Sequence, residues 1–133
     1  MLDAALAKNV SIVDYECIEE DGVRQVAFGH WAGLAGAING LNLLGMRLLS
    51  LGHNTPLIRV NMASGYQTSV AAMEVIRECG NEIKSGHLSP VLDPLVFCIT
   101  GSGRCARGAK EILDALGVEW VHPSKLKTLP KVP

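Results

Sequence analysis

Six consecutive residues in the last third of the chain have the types and spacing to hold a phosphate. Gly101-Ser102-Gly103-Arg104-Cys105-Ala106 fits the pattern G-x-G-x-x-[G/A]. The first glycine permits a tight turn out of a strand, and the second lets a pyrophosphate approach the backbone. The small third residue lets the following helix pack close to the strand. A helix opening there offers free N–H groups and a partial positive charge to an anion. Arg104 adds a cationic side chain at the same helix end and marginally favours NADP over NAD. The expected cofactor-binding residues are Gly101, Ser102, Gly103, Arg104 and Ala106. The pattern is short, and a purely structural turn is the competing reading.

The flanking residues strengthen the nucleotide reading. Leu95–Thr100 is a continuous apolar run, as expected of a strand covered on both faces. Arg104–Leu116 carries Ala106, Ala109, Ile112, Leu113 and Leu116 at helical spacing, and Gly117 stops it. Val118–Val121 reads as the next strand. A dinucleotide site expects an acidic residue at the tip of that strand, about 20 residues on, for the ribose 2′-hydroxyl. Here Glu119 lies mid-strand and the tip is His122. A non-acidic tip leaves room for a 2′-phosphate and leans toward NADP, with NAD as the alternative.

Other chemistries have less support. Cys17, Cys79, Cys98 and Cys105 form no C-x-x-C pair, and no histidine sits at ligand spacing from one, so no metal site is expected. Cys98 and Cys105 read as small buried hydrophobes. His30, His53, His87 and His122 have no sequence neighbour that suggests a nucleophile with its base, so no catalytic residue is assigned. A net charge of −1 favours neither nucleic acid nor an anionic membrane as partner.

The elements that position the turn must come from a chain of 133 residues, 48% hydrophobic, enough for one domain with a buried core. Ser11–Tyr15 and Arg24–Phe28 read as short strands around a turn at Glu19-Glu20-Asp21-Gly22. The periodicity predicts a helix over Trp31–Leu51, with Trp31, Leu34, Ala35, Ile38, Leu41 and Leu48 inward. Its second stripe, Gly33, Gly36 and Gly40, costs about 1 kcal/mol per glycine against alanine and implies that another backbone packs close. Asn39, Asn42 and Arg47 argue against a membrane span. Ser64 and Gln67 have capping-box spacing for a helix ending at Cys79, with Val70, Met73 and Ile76 inward and Gly80 as its stop. Asn81–Pro94 is a connecting region, and the tail Lys125–Pro133 is expected to fray.

Five groups of residues, in this order, resemble a known family. They are Ile12-Val13-Asp14-Tyr15-Glu16, Val26-Ala27-Phe28-Gly29, Trp31-Ala32-Gly33, Leu51-Gly52-His53-Asn54-Thr55-Pro56, and Phe97–Gly103 with Gly108-Ala109 behind it. The set resembles the lysine–ketoglutarate reductase half of bifunctional aminoadipic semialdehyde synthases. These belong to the alanine dehydrogenase and transhydrogenase N-terminal superfamily. The resemblance runs from about Leu2 to Leu126. It implies an NADPH-dependent oxidoreductase of lysine degradation that condenses lysine with 2-oxoglutarate, through an imine, to saccharopine. The implied fold class is α/β: two Rossmann-like domains with the active site between them, present here in part. Residues 1–30 would end the N-terminal substrate-type domain, residues 31–94 would form linking helices, and residues 95–133 would start an incomplete dinucleotide-binding domain. Arg24 lies in Val23-Arg24-Gln25-Val26-Ala27-Phe28-Gly29, where related saccharopine dehydrogenases place arginines that bind a substrate carboxylate. A guanidinium suits a bidentate carboxylate; a solvated edge-strand arginine is the other reading.

The family's catalytic lysine and histidine lie in a segment like F-F-S-H-T-x-K, which does not occur in these 133 residues. The expectation is therefore a fragment, truncated product or shortened paralogue, inactive alone and able to self-associate through exposed apolar surface. A non-catalytic nucleotide-binding or regulatory remnant and an alanine dehydrogenase-like fragment are the alternatives. The resemblance implies a mitochondrial location. No Arg-rich transit peptide is visible in the chain, so a cytoplasmic location is the alternative.

Overall fold

In the computed structural model, which describes residues 1–128, the long apolar run after Phe28 is a single helix. In chain order the elements are α1 (Leu2–Ala7), β1 (Glu19–Glu20), β2 (Val23–Arg24), α2 (Gly29–Ser50), α3 (Ser69–Lys84) and α4 (Arg104–Leu116), joined by loops and short 3-10 turns. The fold is mostly helical with one small two-stranded sheet, an α/β-type arrangement.

α2 buries Gly33, Leu34, Ile38, Leu41, Gly45 and Leu48 along one face. It closes with the His53 N–H donating to the Leu48 carbonyl at 2.9 Å, a Schellman arrangement with Gly52 at φ +89°. Trp31, expected inward, is 62% exposed. Of the glycine stripe, only Gly33 packs against another backbone; a Cβ on Gly36 or Gly40 would meet nothing within 4 Å. A second close backbone approach on this helix is at Gly45, against the Leu57 backbone. The asparagines have a role that spacing did not suggest. Asn42 donates to the Val60 carbonyl at 2.6 Å, and Asn39 accepts from the Ala63 N–H at 2.7 Å. Together they hold the loop that inserts Leu57 and Val60 into the core.

α3 starts later than the capping-box reading placed it. Ser64 sits in a 3-10 turn, Ala63–Gly65, and the cap is Thr68, whose hydroxyl accepts from the Ala71 N–H at 3.2 Å. Its inward residues are Ala72, Ile76 and Cys79, while Val70 is 62% exposed. Gly80 does not stop the helix. It lets α3 lie against the Leu116 carbonyl, and the helix runs on to Lys84. α4 spans Arg104–Leu116 as the periodicity predicts, ending at Gly117 with φ +80°. The core joins Leu34, Ile38 and Leu41 of α2, Ala72, Ile76 and Cys79 of α3, and Ile112, Leu113 and Leu116 of α4 around Leu57 and Val60.

The strands depart most from expectation. The Glu19–Arg24 and Glu20–Val23 pairs form the hairpin, so the turn is only Asp21-Gly22. Both turn residues have positive φ, +51° and +72°, which suits a two-residue hairpin connection. The expected strand at Ser11–Tyr15 runs instead into a 3-10 turn, Tyr15–Cys17, capped by the Asp14 carboxylate at the Glu16 N–H, 2.9 Å. Leu95–Thr100 and Val118–Val121 are not paired in a sheet among the described residues. Leu95, Phe97 and Ile99 pack on the core and Val96, Cys98 and Thr100 face outward, so the run is covered on one face only. A lone two-stranded pair is at best marginal in water, and two such runs gain little by pairing alone.

Cys98 and Cys105, expected to be buried, are exposed; Cys79 is the buried cysteine. Its thiol donates to the Pro56 carbonyl at 3.1 Å, and burial pushes its pKa up. Of the tail expected to fray, Lys125–Thr128 belongs to a 3-10 turn, Pro123–Thr128, and the remaining positions, 129–133, lie outside the described residues. Among the described residues no helix is long and apolar enough to cross a membrane.

Candidate functional site

The glycine turn is built from three features. The preceding run carries Ile99 inward, which fixes the direction of entry. Gly101 then adopts φ +86°, a left-handed conformation in which a side chain is strained. Gly103 is the N-cap of α4 and caps with no side chain. The first helical bond formed at this end is from the Arg107 N–H to the Gly103 carbonyl, 3.1 Å. Ser102 to Ala106 therefore present N–H groups with no protein acceptor among the described residues.

Gly103 differs from the packing glycines. Its φ of −71° is open to any residue, and a Cβ there would meet no protein atom within 4 Å. Gly33 and Gly108, by contrast, sit directly against helix backbone. Among the described residues nothing requires glycine at position 103, and the space above it is open. Ala106 is half-buried beside the turn.

Two open depressions flank the start of α4. One, about 300 Å³, is lined by Ile99, Gly101, Ser102, Ala106, Arg107, Lys110 and Trp120. The other, about 470 Å³, is lined by Arg24, Ala27, Phe28, Gly29, Ala32 and Arg104. The structure thus brings Arg24 to the same depression as Arg104, though 80 residues separate them in sequence. The close crossing of α2 and α4 explains this: Gly29 of α2 lies so near α4 that its Cβ would stand 3.2 Å from the Arg104 Cβ.

Arg24 is not idle in this arrangement. Its Nε donates to the Val26 carbonyl at 2.9 Å, and its Nη2 lies 2.9 Å from Glu16 Oε2. Arg104 has no ion-pair partner among the described residues. Neither depression is lined by a histidine or a carboxylate. His30 lies outside them, 3.3 Å from Glu111 Oε2 in a contact between α2 and α4. His122 is exposed, with Nδ1 2.8 Å from Ser124 Oγ.

Sequence reasoning missed Arg107, Lys110 and Trp120 as neighbours of the turn. The i, i+3 spacing of Arg107 and Lys110 on α4 is the signal that could have found the first two. Lys110 Nζ lies 4.5 Å from the Trp120 ring centroid and makes 2.8–2.9 Å contacts with both Asp114 carboxylate oxygens. The Trp120 indole N–H also donates to Asp114. The Lys110 and Trp120 bonds hold the Asp114 carboxyl below its usual range. Among the described residues no group of histidines, cysteines and carboxylates could hold a metal.

Known proteins contain a segment similar to this chain. The rat mitochondrial alpha-aminoadipic semialdehyde synthase is 42% identical over 132 residues, covering 98% of this chain and 14% of its own length. The bovine mitochondrial protein is 43% identical over 128 residues, 96% of this chain. The Arabidopsis thaliana alpha-aminoadipic semialdehyde synthase is 41% identical over 130 residues, 97% of this chain and 12% of its own length. The chain is a homologue of one segment of the alpha-aminoadipic semialdehyde synthases. It spans about one seventh of the length of the rat and bovine synthases. No family model matches it.

Proposed function

We propose that these 133 residues contribute the phosphate-binding start of the dinucleotide site in a lysine-degrading, synthase-like oxidoreductase. The open glycine at position 103 carries the reading: its backbone conformation and its own surroundings do not call for glycine, whereas a pyrophosphate approaching the backbone does. Gly101 makes the turn, and the N–H groups of Ser102, Gly103 and Arg104 meet the anion. Ala106 keeps the helix close, and the Arg104 guanidinium adds charge that favours NADPH over NADH. Bound NADPH supplies the hydride. Arg24, in the depression it shares with Arg104, takes a carboxylate of 2-oxoglutarate or lysine in the saccharopine-forming reaction.

The fold proposal follows from the same geometry. Leu95–Thr100, α4 and Val118–Val121 have the order of a first β-α-β unit of a Rossmann-like domain, with residues 31–94 as linking helices and residues 1–30 as the end of a substrate-type domain. The mitochondrial designation of the rat and bovine relatives supports a mitochondrial location. These residues by themselves should bind without turning over, because neither depression is lined by a histidine or carboxylate and Lys110, the one titratable amine there, is held by Asp114.

Titrating NADPH and NADH into the chain and into Gly103→Val by calorimetry tests this. Weak NADPH binding that the valine reduces at least tenfold, with thermal unfolding unchanged, supports the cradle. Equal binding by both proteins would reduce Gly101–Ala106 to a structural turn.

A further inference from the structure

The two arginines of α4 go to different depressions. Arg104 lines the one it shares with Arg24 and Phe28, while Arg107 lines the smaller one with Gly101, Ser102, Lys110 and Trp120. Arg107 is exposed and has no ion-pair partner among the described residues. Both carboxylates of α4 are engaged elsewhere: Glu111 lies 3.3 Å from His30 of α2, and Asp114 holds Lys110 and the Trp120 indole. Lys110 is thus neutralised within the protein, and Arg107 is not. Trp120 forms the wall opposite. Lys110 Nζ, 4.5 Å from the ring centroid, and the indole bond to Asp114 hold the ring in place, yet the residue stays 44% exposed. A ring fixed in advance loses little freedom when a flat ligand stacks on it.

Resting on the dinucleotide reading of the Gly101–Ala106 turn, we propose that Arg107 binds the 2′-phosphate of NADPH, with the adenine against Trp120. This direct contact adds to the general charge of Arg104. A pyrophosphate held at Ser102 and Gly103 carries adenosine on one side and the nicotinamide half on the other. The Trp120 side offers an aromatic ring and an unneutralised cation, whereas the Arg24 side offers cations suited to a carboxylate substrate. A guanidinium meets a phosphate with paired N–H donors in a fixed fork, which an ammonium lacks. No carboxylate lines the Trp120 depression to repel a 2′-phosphate. The volume, about 300 Å³, falls at the small end of ligand sites.

Adenosine 2′,5′-bisphosphate and 5′-AMP differ only in the 2′-phosphate, so titrating both isolates this contact without the nicotinamide half. The chain should bind the bisphosphate about tenfold more tightly or better, the effect of one charge-assisted contact. Arg107→Gln should reduce that preference to about threefold or less, with thermal unfolding unchanged because the side chain is exposed and unpaired. Arg107→Lys keeps the charge and should fall between the two. In a Trp31→Phe background Trp120 is the remaining tryptophan, and its fluorescence should be quenched as either ligand binds. A preference that survives Arg107→Gln overturns the inference, and so does binding without quenching. If Gly103→Val still abolishes binding in those experiments, the turn remains the phosphate site and only the roles of Arg107 and Trp120 fall. If neither ligand binds the wild type, the dinucleotide reading falls with them.

Discussion

Gly33 of α2 and Gly108 of α4 form a reciprocal contact: Gly33 lies against the Cys105 carbonyl, and Gly108 lies against the His30 carbonyl. Neither position has room for a Cβ. This crossing brings the start of α4 to the start of α2, and it puts Arg104 in the depression that holds Arg24. The packing of two helices therefore sets the geometry of the candidate site.

The crossing can be tested against the exposed glycines of the same helix. Gly33→Ala and Gly108→Ala should each destabilise the chain by about 2–3 kcal/mol, because the helices must separate to admit the methyl group. Gly36→Ala and Gly40→Ala should stabilise it by about 0.5–1 kcal/mol, since alanine there gains helix propensity and touches nothing. Urea unfolding followed by circular dichroism separates the two classes. Four equal effects would remove the crossing from the argument.

This contrast also shows how far the sequence could be read. The period of Leu34, Ile38, Leu41 and Leu48 was enough to place α2, and Arg104 to Gly117 was enough to place α4, because local spacing decides a helix. Gly33, Gly36 and Gly40 look alike in sequence, yet only Gly33 meets a neighbour, a choice made by the crossing angle rather than the period. Leu95–Thr100 was read as covered on both faces, since an apolar run does not reveal which neighbours are there to cover it. Within the candidate site, the turn at Gly101 was legible. The meeting of Arg24 with Arg104 was not, because no local pattern encodes a contact 80 residues apart.

The asparagines of α2 should matter for stability. Val60 is fully buried, and its carbonyl depends on the Asn42 amide. Asn42→Leu should cost about 1–3 kcal/mol, the range for leaving a buried acceptor without its donor. Asn39→Ala should cost less, because the Ala63 N–H lies in a half-buried turn. Thermal unfolding of both variants measures this. An Asn42→Leu chain as stable as the wild type would show that the loop needs no clamp.

Asp114 links stability to pH. Its carboxyl is held below the usual range by Lys110 and then by the Trp120 indole. A carboxyl with a lowered folded pKa stabilises the fold above its unfolded value, about 3.9, and loses that contribution as pH falls through the folded value. The group is half exposed, so solvent screening keeps the effect to about 0.5 kcal/mol. Asp114→Asn should be less stable than wild type at pH 7, with the gap closing in acid below the carboxylate range. A gap that persists unchanged at low pH would point to packing at Trp120 instead.

The last prediction concerns the carboxylate role proposed for Arg24. Two of its guanidinium contacts are already made, to the Val26 carbonyl and to Glu16. The Val26 bond orients the side chain toward the depression lined by Phe28 and Arg104. The Glu16 carboxylate holds Nη2, a nitrogen that an incoming carboxylate would use, so the two compete for it. Glu16→Gln removes the competing charge and keeps a side chain of the same size. It should tighten 2-oxoglutarate binding several-fold in calorimetry, and Arg24→Gln should abolish it. Both residues are exposed enough that stability should change by no more than about 0.5 kcal/mol. If Glu16→Gln leaves the affinity unchanged while Arg24→Gln lowers only the melting temperature, Arg24 is a structural partner of the hairpin. The anion site would then rest on Arg104 and the helix end alone.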